Sequence, residues 1–166
     1  KSRAALRALW MAPLLAMWLA GCEPQRAEML AEEVSTEDDV RRMFGEPRTV
    51  TVAADGTRTL EYPRQPEGYA NYIMVIGTNG KLSSLRQLLN PDNFAKVKPG
   101  MDRAAVLAIL GPHARERSFD LKKETLVEWR FRDGQEPKVF EVTFGPEGLV
   151  TGTAIMADRR DVEPNR

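Results

Sequence analysis

The sequence predicts an α+β fold of two similar units, each a helix pair packed on a small antiparallel β-sheet of three or four strands. Apolar residues at helical spacing occur twice, as Val40, Met43 and Phe44 and again as Val106, Ile109 and Leu110. Each member of the first set lies 66 positions before its counterpart. Strand residues recur at a step of 68, as Tyr72, Met74 and Ile76 and again as Phe140, Val142 and Phe144. Self-similarity at a nearly fixed step indicates repeated structural units.

The helix that bears the first apolar set has two candidate N-terminal caps. Ser35 with Asp38 has the spacing of a capping box, and so does Thr36 with Asp39. This helix is therefore predicted to begin at Ser35 or Thr36. In the second unit, Asp102 is the predicted cap of the corresponding helix.

A shorter helix is predicted ahead of each capped helix. Residues 26–33 suit the first one, and Met29, Leu30 and Val34 are expected to face a core. Residues 90–97 suit the second one. Each unit would then contribute two helices to one face of its sheet.

Strands are predicted to follow the helices. In the first unit, β-rich segments bounded by turn residues lie at 49–53, 57–62, 72–76 and 81–88. The turns between them are short, which predicts antiparallel pairing. The intervening segment Pro63–Gly68 is rich in Pro and Gly, and we expect it to be an exposed loop.

The N-terminal segment is typical of an exported protein. A basic start precedes an apolar run at 9–20, which is shorter than the roughly 20 residues that a bilayer span needs. The run ends in Leu19-Ala20-Gly21-Cys22, which resembles the lipobox of bacterial lipoproteins. Small residues there admit a peptidase, and the thiol accepts a lipid. We therefore expect cleavage between Gly21 and Cys22, followed by lipidation of Cys22.

These signals divide the chain into five segments. The predicted segments are a signal peptide at 1–21, a lipidated tether at 22–25, a first repeat at 26–89, a second repeat at 90–158 and a polar tail at 159–166.

Few residues of the kinds that catalysis needs are present. Cys22 is the only cysteine and His113 the only histidine, which excludes an internal disulfide and the usual zinc ligand sets. We expect His113 at the surface. No nucleophile elbow, phosphate-binding loop or dinucleotide fingerprint occurs in the sequence. We therefore predict a protein that is not an enzyme, has no small-molecule substrate and no metal, and carries no cofactor beyond the covalent lipid on Cys22.

The charge balance argues against a nucleic-acid partner. The sequence has 24 basic and 24 acidic residues. Three of the basic residues, Lys1, Arg3 and Arg7, lie in the predicted signal peptide, so the mature chain is slightly acidic. A domain without a basic cluster is a poor binder of nucleic acid.

Protein recognition is the remaining class of function. Arg64, within the 63–68 loop, and Tyr69, at its margin, have no clear counterpart in the second unit and are candidate partner-binding residues. Tyr62 and Trp129 occupy equivalent positions in the two units, and we expect both to lie in cores.

The second unit resembles a known family. The segments Phe94–Asp102 and Leu110-Gly111-Pro112, with Val106 between them, are similar to the signature of the SmpA/OmlA (BamE-like) outer-membrane lipoproteins. The resemblance covers about 90–156 well and about 28–88 more weakly. Asp102 stands where the family pattern has a threonine, which is an acceptable exchange at a helix cap.

This resemblance implies two tandem BamE-like units, the first divergent and the second a better match. It implies an outer-membrane lipoprotein on the periplasmic side, held by its lipid. Its function would be that of a non-catalytic scaffold in β-barrel assembly or envelope integrity, with other envelope proteins and the β-barrel assembly machinery as partners. The doubled unit departs from the family's single copy. It also resembles the tandem architecture of β-lactamase inhibitor proteins, so a protein-binding or inhibitor module is the alternative.

Overall fold

The N-terminal half of the protein, residues 23–89, forms one four-stranded sheet. In a computed structural model, which describes residues 23–159, this half has two helices, α1 (Glu23–Glu28) and α2 (Glu37–Phe44). Its strands are β1 (Thr49–Val52), β2 (Arg58–Pro63), β3 (Asn71–Ile76) and β4 (Leu82–Gln87), paired antiparallel in the order β1-β2-β3-β4. The predicted signal peptide and Cys22 lie outside the described residues, as do residues 160–166.

The C-terminal half, residues 90–159, has the same order of elements. Its helices are α3 (Pro91–Phe94) and α4 (Arg103–Leu110). Its strands are β5 (Arg115–Phe119), β6 (Glu124–Asp133), β7 (Glu136–Phe144) and β8 (Val150–Ala157), again antiparallel in sequence order. A mixed α and β fold with two antiparallel sheets is thereby confirmed, and it fits an arrangement of two units. The helices are few and short, so the packing of a helix pair on each sheet stays a prediction, as do the exact boundaries of the repeats.

Each half has its own hydrophobic core. In the N-terminal half, Val40 and Phe44 of α2 belong to one buried cluster with strand residues such as Leu60 and Met74. The corresponding cluster of the C-terminal half includes Val106, Leu110, Val127, Phe140 and Val142. These are the apolar positions that recur in the sequence, so the helical and strand periodicities both identified core residues correctly.

The two halves also agree in their hydrogen bonds. The hydroxyl of Tyr62 donates to the carbonyl oxygen of Gly45 at 3.1 Å, at the C-terminus of α2. The indole Nε1 of Trp129 donates to Gly111 O at 2.9 Å, at the C-terminus of α4. Tyr62 and Trp129 are each only 1% exposed, which confirms that both are core residues. A buried aromatic with a polar tip needs such a partner, and both halves supply it from the helix end.

The cap of α2 is Thr36 and not Ser35. Thr36 Oγ1 accepts from Asp39 N at 3.3 Å, and Asp39 Oδ2 accepts from Thr36 N at 2.9 Å, which completes a capping box. Ser35 is occupied elsewhere, because its Oγ accepts from Ala31 N at 3.0 Å. In the C-terminal half, Asp102 caps α4 as predicted, by accepting from Ala105 N at 2.8 Å.

The first helix differs from its prediction. It occupies Glu23–Glu28 and not 26–33, so it includes most of the predicted tether. Met29 and Val34 are each 69% exposed, and of the predicted core residues there only Leu30 packs against the N-terminal core. Beyond α1, Glu33 has φ +61° and its N–H donates to Leu82 O at 2.7 Å. Bonding to the edge of β4 takes these residues out of the helix.

No helix in the described part of the chain is long and apolar enough to cross a bilayer.

Candidate functional site

A groove lies between the two halves of the molecule. One wall is the face of the N-terminal sheet that points away from its core, and the other wall comes from α3, α4 and the residues after α4. The cavity has a volume of about 590 Å³. A cavity of this size is within the range that proteins use to hold ligands or partner side chains.

The strand register explains the first wall. Ile73 of β3 pairs with Glu61 of β2 on one side and with Arg86 of β4 on the other, so the three side chains form a row on one face. Alternate residues of a strand point to opposite faces. Leu60 and Met74, which precede Glu61 and follow Ile73 in their strands, are fully buried in the core. The row therefore lies on the opposite face of the sheet, where it lines the groove.

Helix α4 supplies the second wall. Val106 and Leu110 are fully buried in the C-terminal core. Leu107 and Ile109 are half-buried and line the groove together with the exposed Ala108. The groove thus has apolar side chains on both walls, from Ile73 on the sheet and from Leu107 and Ile109 on the helix.

Charged and polar side chains surround these apolar residues. The lining includes Glu61, Arg86, Lys96 and His113. His113 is half-buried, and its ring meets that of Trp129 edge-on at 6.1 Å between centroids. Burial lowers the pKa of His113, the nearby guanidinium of Arg103 lowers it further, and Glu116 opposes both effects. The neutral imidazole is therefore favoured at this position.

Asn71 joins the two halves beside the groove. It is 2% exposed, and its Nδ2 donates to Leu110 O at 2.8 Å and to Pro112 O at 2.9 Å. Gly111 lies between these two carbonyls with φ +72°, and a Cβ there would meet Asn71 Nδ2 at 3.1 Å. Two hydrogen bonds from one buried side chain thus fix the start of β3 against the end of α4.

A second joint is formed by the loop between β2 and β3. The side chain of Gln65 pairs with the backbone of Arg130, accepting from its N–H at 3.0 Å and donating to its carbonyl at 2.9 Å. The guanidinium of Arg130 donates to the carbonyls of Pro66 and Glu67, each at 3.2 Å, and to the carboxylate of Asp158. Arg130 and Asp158 are 6% and 2% exposed, so this ion pair is buried.

The structure gives both candidate partner-binding residues intramolecular contacts. Arg64 donates to Phe44 O at 3.0 Å and lies over the ring of Phe44. Tyr69 OH accepts from Arg130 at 2.7 Å, and the guanidinium groups of Arg130 and Arg132 lie 4.4 and 4.5 Å from its ring centroid. Partner binding by Arg64 and Tyr69 stays a prediction. Lipidation of Cys22 and cleavage after Gly21 fall outside the described residues and stay predictions too.

The sequence analysis missed the groove, although one signal for it was present. In β3, Ile73 and Val75 are apolar and alternate with the core residues of the same strand. A strand with apolar residues on both faces is typically covered on both faces. Arg130 gave no such signal, because a charged residue between Trp129 and Phe131 has the pattern of an ordinary solvent-facing position.

Within residues 23–159, no group of three or more His, Cys, Asp or Glu side chains is placed to hold a metal ion. No protein-family model matches the chain, and no curated protein does. Several solved structures are similar in part, among them the following three. The osmotically inducible lipoprotein OsmE is 21% identical, over 46% of this chain and 93% of that chain, with a TM-score of 0.37.

A DUF4309-family protein from Bacillus subtilis is 20% identical, over 81% of this chain and 86% of its own, with a TM-score of 0.34. A protein assigned as a β-lactamase inhibitor, from Streptococcus mutans, is 14% identical, over 74% and 82%, with a TM-score of 0.36. Likenesses of this size concern the fold alone and assign no function to this chain.

Proposed function

We propose that this chain is a non-enzymatic, lipid-anchored protein of the periplasmic side of the outer membrane, which serves as a scaffold in β-barrel assembly or envelope integrity. One observation carries the protein-binding part, namely the groove between the halves. Apolar side chains at the centre of a concave surface with a charged rim are the usual arrangement for a protein contact. The lipobox at Cys22 supports the anchor, and the SmpA/OmlA signature supports the assembly role.

Burial of Ile73, Leu107 and Ile109 by a partner would stabilise the complex by roughly 25 cal/mol for each Å² of apolar surface covered. Glu61 and Arg86 flank Ile73 in the same cross-strand row. Charges at a rim mainly set orientation and the rate of association. The apolar centre is therefore the part of the groove on which affinity depends.

Site-specific crosslinking in cells tests this proposal. A photoreactive amino acid in place of Ala108, which is exposed and lines the groove, should crosslink to a component of the β-barrel assembly machinery. Ala104 is exposed on the same helix outside the groove and is the matched position for comparison. Recovery of no assembly component from Ala108, or equal recovery from Ala104, would contradict the scaffold proposal.

A pair of charge substitutions on β3 sharpens the test. Ile73→Glu places a carboxylate among the apolar groove residues and should abolish the crosslink from Ala108. Val75→Glu makes the same chemical change two residues along the same face, outside the groove lining, and should leave the crosslink intact. Equal loss in both variants would mean that the groove is not the contact surface.

The inhibitor alternative is distinguished by the identity of the partner. It predicts aromatic side chains exposed on a sheet face, whereas Tyr72 is 4% exposed and Tyr69 lies under two guanidinium groups. We therefore favour the scaffold. A crosslink from Ala108 to an envelope enzyme, together with loss of that enzyme's turnover on adding the purified chain, would favour the inhibitor.

The proposed anchor has its own test. Cys22→Ala should leave unprocessed precursor and abolish labelling of the protein with palmitate. Labelling that persisted in this variant would contradict lipidation at Cys22.

A further inference from the structure

The four sheet edges of the described chain differ in how they are protected. An unprotected edge presents unpaired backbone N–H and C=O groups to any extended chain, and folded proteins usually cover, charge or shorten such edges. β1 has only four residues, and β5 carries Arg115, Glu116 and Arg117. β4 is covered by the segment between α1 and α2, which bonds to Leu82 and Leu85.

In the part of the chain that the structure describes, β8 has none of these protections over most of its length. It runs for eight residues, Val150–Ala157, and contains neither a charged residue nor proline. Residues 151–157 are exposed or half-buried throughout. Ile155 is 54% exposed and Met156 is 43% exposed, and these neighbours point to opposite faces of the sheet.

The register shows which backbone groups of β8 point away from the sheet. Val150 N donates to Met101 O at 2.8 Å, and Val150 O accepts from Gly100 N at 2.8 Å, so Val150 bonds outward. A bulge follows, after which Thr153 pairs with Val142. In an antiparallel ladder, alternate residues bond inward and outward. Thr153, Ile155 and Ala157 are thus the outward residues.

The N-terminal half confirms this alternation and shows what β8 lacks. Leu82 bonds outward as Val150 does, and the next outward residue, Leu85, donates its N–H to Glu32 Oε1 at 2.8 Å. Thr153 is the counterpart of Leu85. Glu33 N donates to Leu82 O, and Gly100 N donates to Val150 O in the same way. Pro99, which precedes Gly100, therefore occupies the position that Glu32 has before Glu33. Proline has no side-chain acceptor, and no residue between 23 and 159 gives the outward groups of β8 beyond Val150 an equivalent cover.

We propose that the outer edge of β8 binds an extended, uncharged segment of a partner protein as an added strand. Backbone hydrogen bonds to Thr153, Ile155 and Ala157 would supply the affinity. Contacts with Ile155 on one face and Met156 on the other would favour apolar side chains at successive positions of the segment, a common arrangement in strand addition. This surface is separate from the groove, so the inference goes beyond the proposed function.

A second copy of the chain is the less favoured occupant. A stable dimer generally buries about 800 Å² on each partner, which a single eight-residue edge paired with itself does not approach. A peptide segment does not need that area, because its main-chain hydrogen bonds and adjacent side-chain contacts are concentrated along one line. The uncharged edge also offers no ion-pair partner to a charged strand.

Amide hydrogen exchange on the mature full-length chain in detergent micelles tests the proposal. The probe is an uncharged eight-residue peptide that has valine or isoleucine at successive positions and is capped at both ends. Adding it should slow exchange at Thr153, Ile155 and Ala157 by at least about tenfold, as expected for amides that acquire a hydrogen bond. Gly152, Ala154 and Met156 bond inward to β7 and should not change. Uniform protection, or none, would overturn the proposal.

A proline pair separates edge pairing from other binding. Ile155→Pro removes an outward N–H without removing a bond to β7, and it should weaken peptide binding by about tenfold or more. Val50→Pro makes the same change on β1, where Ala53 N bonds inward to Thr57 O and Val50 therefore points outward, and it should have no effect. The unfolding midpoint of Ile155→Pro shows whether this variant is folded. Ile155→Lys, which changes the side chain but keeps the backbone donor, is measured beside it in the same way.

Two results would overturn the inference. One is unchanged peptide affinity in a folded Ile155→Pro protein. The other is a concentration-dependent dimer that protects the same three amides without peptide, which would assign the edge to a second copy. Ile73→Glu in the groove should leave peptide binding unchanged, so a failure here is distinguishable from a failure of the scaffold proposal.

Discussion

The N-terminal and C-terminal halves have matching cores but different outer sheet faces. On the N-terminal sheet, Ile73 and Val75 make the outer face apolar, and α4 of the other half lies across the groove from it. On the C-terminal sheet, the outer face carries the buried Glu128 and the half-buried Glu141, with Arg117 close to both carboxylates. The two halves therefore share the arrangement of the core and differ in the chemistry of their outer sheet faces.

The joints between the halves are asymmetric for the same reason. Asn71 and Gln65 both come from the N-terminal half, and both bond to backbone groups of the C-terminal half. The position in the other half that corresponds to Asn71 is Val139, a buried residue whose side chain cannot make such hydrogen bonds. The two halves thus share their order of elements, and a few polar side chains from both of them, Asn71 and Gln65 on one side and Arg130 on the other, hold them together.

The largest expected effect comes from breaking the Arg130 joint. Arg130→Ala removes the guanidinium that donates to the buried carboxylate of Asp158 and to the loop carbonyls of Pro66 and Glu67. Breaking a buried pair in this way costs about 3–5 kcal/mol. Urea unfolding followed by fluorescence of the buried Trp129 should show a loss of that size.

Arg132→Ala is the matched control. Arg132 also lies over the ring of Tyr69, but it is exposed and its other bond is to Gln135 O. We expect a loss of less than about 1 kcal/mol. If Arg130→Ala and Arg132→Ala had equal effects, the buried joint would not be what couples the halves.

The next largest expected effect on the free energy of unfolding comes from replacing either of two equivalent glycines by alanine. Gly45 and Gly111 end α2 and α4 with φ +79° and +72°, in a region that is strained for any other residue, by about 1–3 kcal/mol. A Cβ on Gly45 meets nothing within 4 Å, whereas one on Gly111 meets Asn71 at 3.1 Å and Leu88 at 3.4 Å. Gly111→Ala should therefore destabilise the protein by about 1–3 kcal/mol more than Gly45→Ala.

Urea unfolding of the two glycine variants measures this difference directly. Asn71 cannot easily move aside, because its Nδ2 is held by the carbonyls of Leu110 and Pro112. The destabilisation caused by Gly111→Ala should thus be smaller when it is measured in an Asn71→Ala background. Equal destabilisation by Gly45→Ala and Gly111→Ala would show that the contact at Asn71 is loose.

Local signals predicted most of the fold because its elements are defined by neighbouring residues. The stripes at Val40 and Val106 and the caps at Thr36 and Asp102 involve residues three or four positions apart, which the sequence shows directly. The first helix was misplaced for a reason that is not local. The residues after it bond to β4, about fifty positions later, and that bonding decides where the helix ends.

The groove and the joints were beyond local reasoning for the same cause. Gln65 and Arg130 are 65 positions apart, and no periodicity indicates that a loop amide will pair with a strand of the other sheet. The apolar outer face of β3 could have been noticed from the run Asn71–Ile76. The residues that lie across from that face could not be predicted, because they depend on how the halves are oriented. Contacts of Asn71, Gln65 and Arg130, which are distant in the sequence from their partners, hold that orientation.

The smallest expected effect is a pH dependence confined to the C-terminal wall of the groove. The sequence has one histidine, His113, and burial holds its pKa below the ordinary value of about 6.5. The unfolded chain therefore binds a proton at this residue more readily than the folded chain does. Stability must then fall as the pH decreases through the window below about 6.5, since protonation favours the unfolded state.

His113→Gln removes this contribution and tests its sign. The free energy of unfolding of the wild type relative to His113→Gln should decrease between pH 8 and pH 5.5, where histidine is the side chain that ordinarily titrates. Glu116→Gln removes the carboxylate that opposes the lowered pKa, 3.5 Å from His113 Nε2, and should steepen the dependence. Because the N-terminal half contains no histidine, parallel curves for the wild type and His113→Gln would mean that the imidazole is as accessible to protons in the fold as in water, and that this wall of the groove is open.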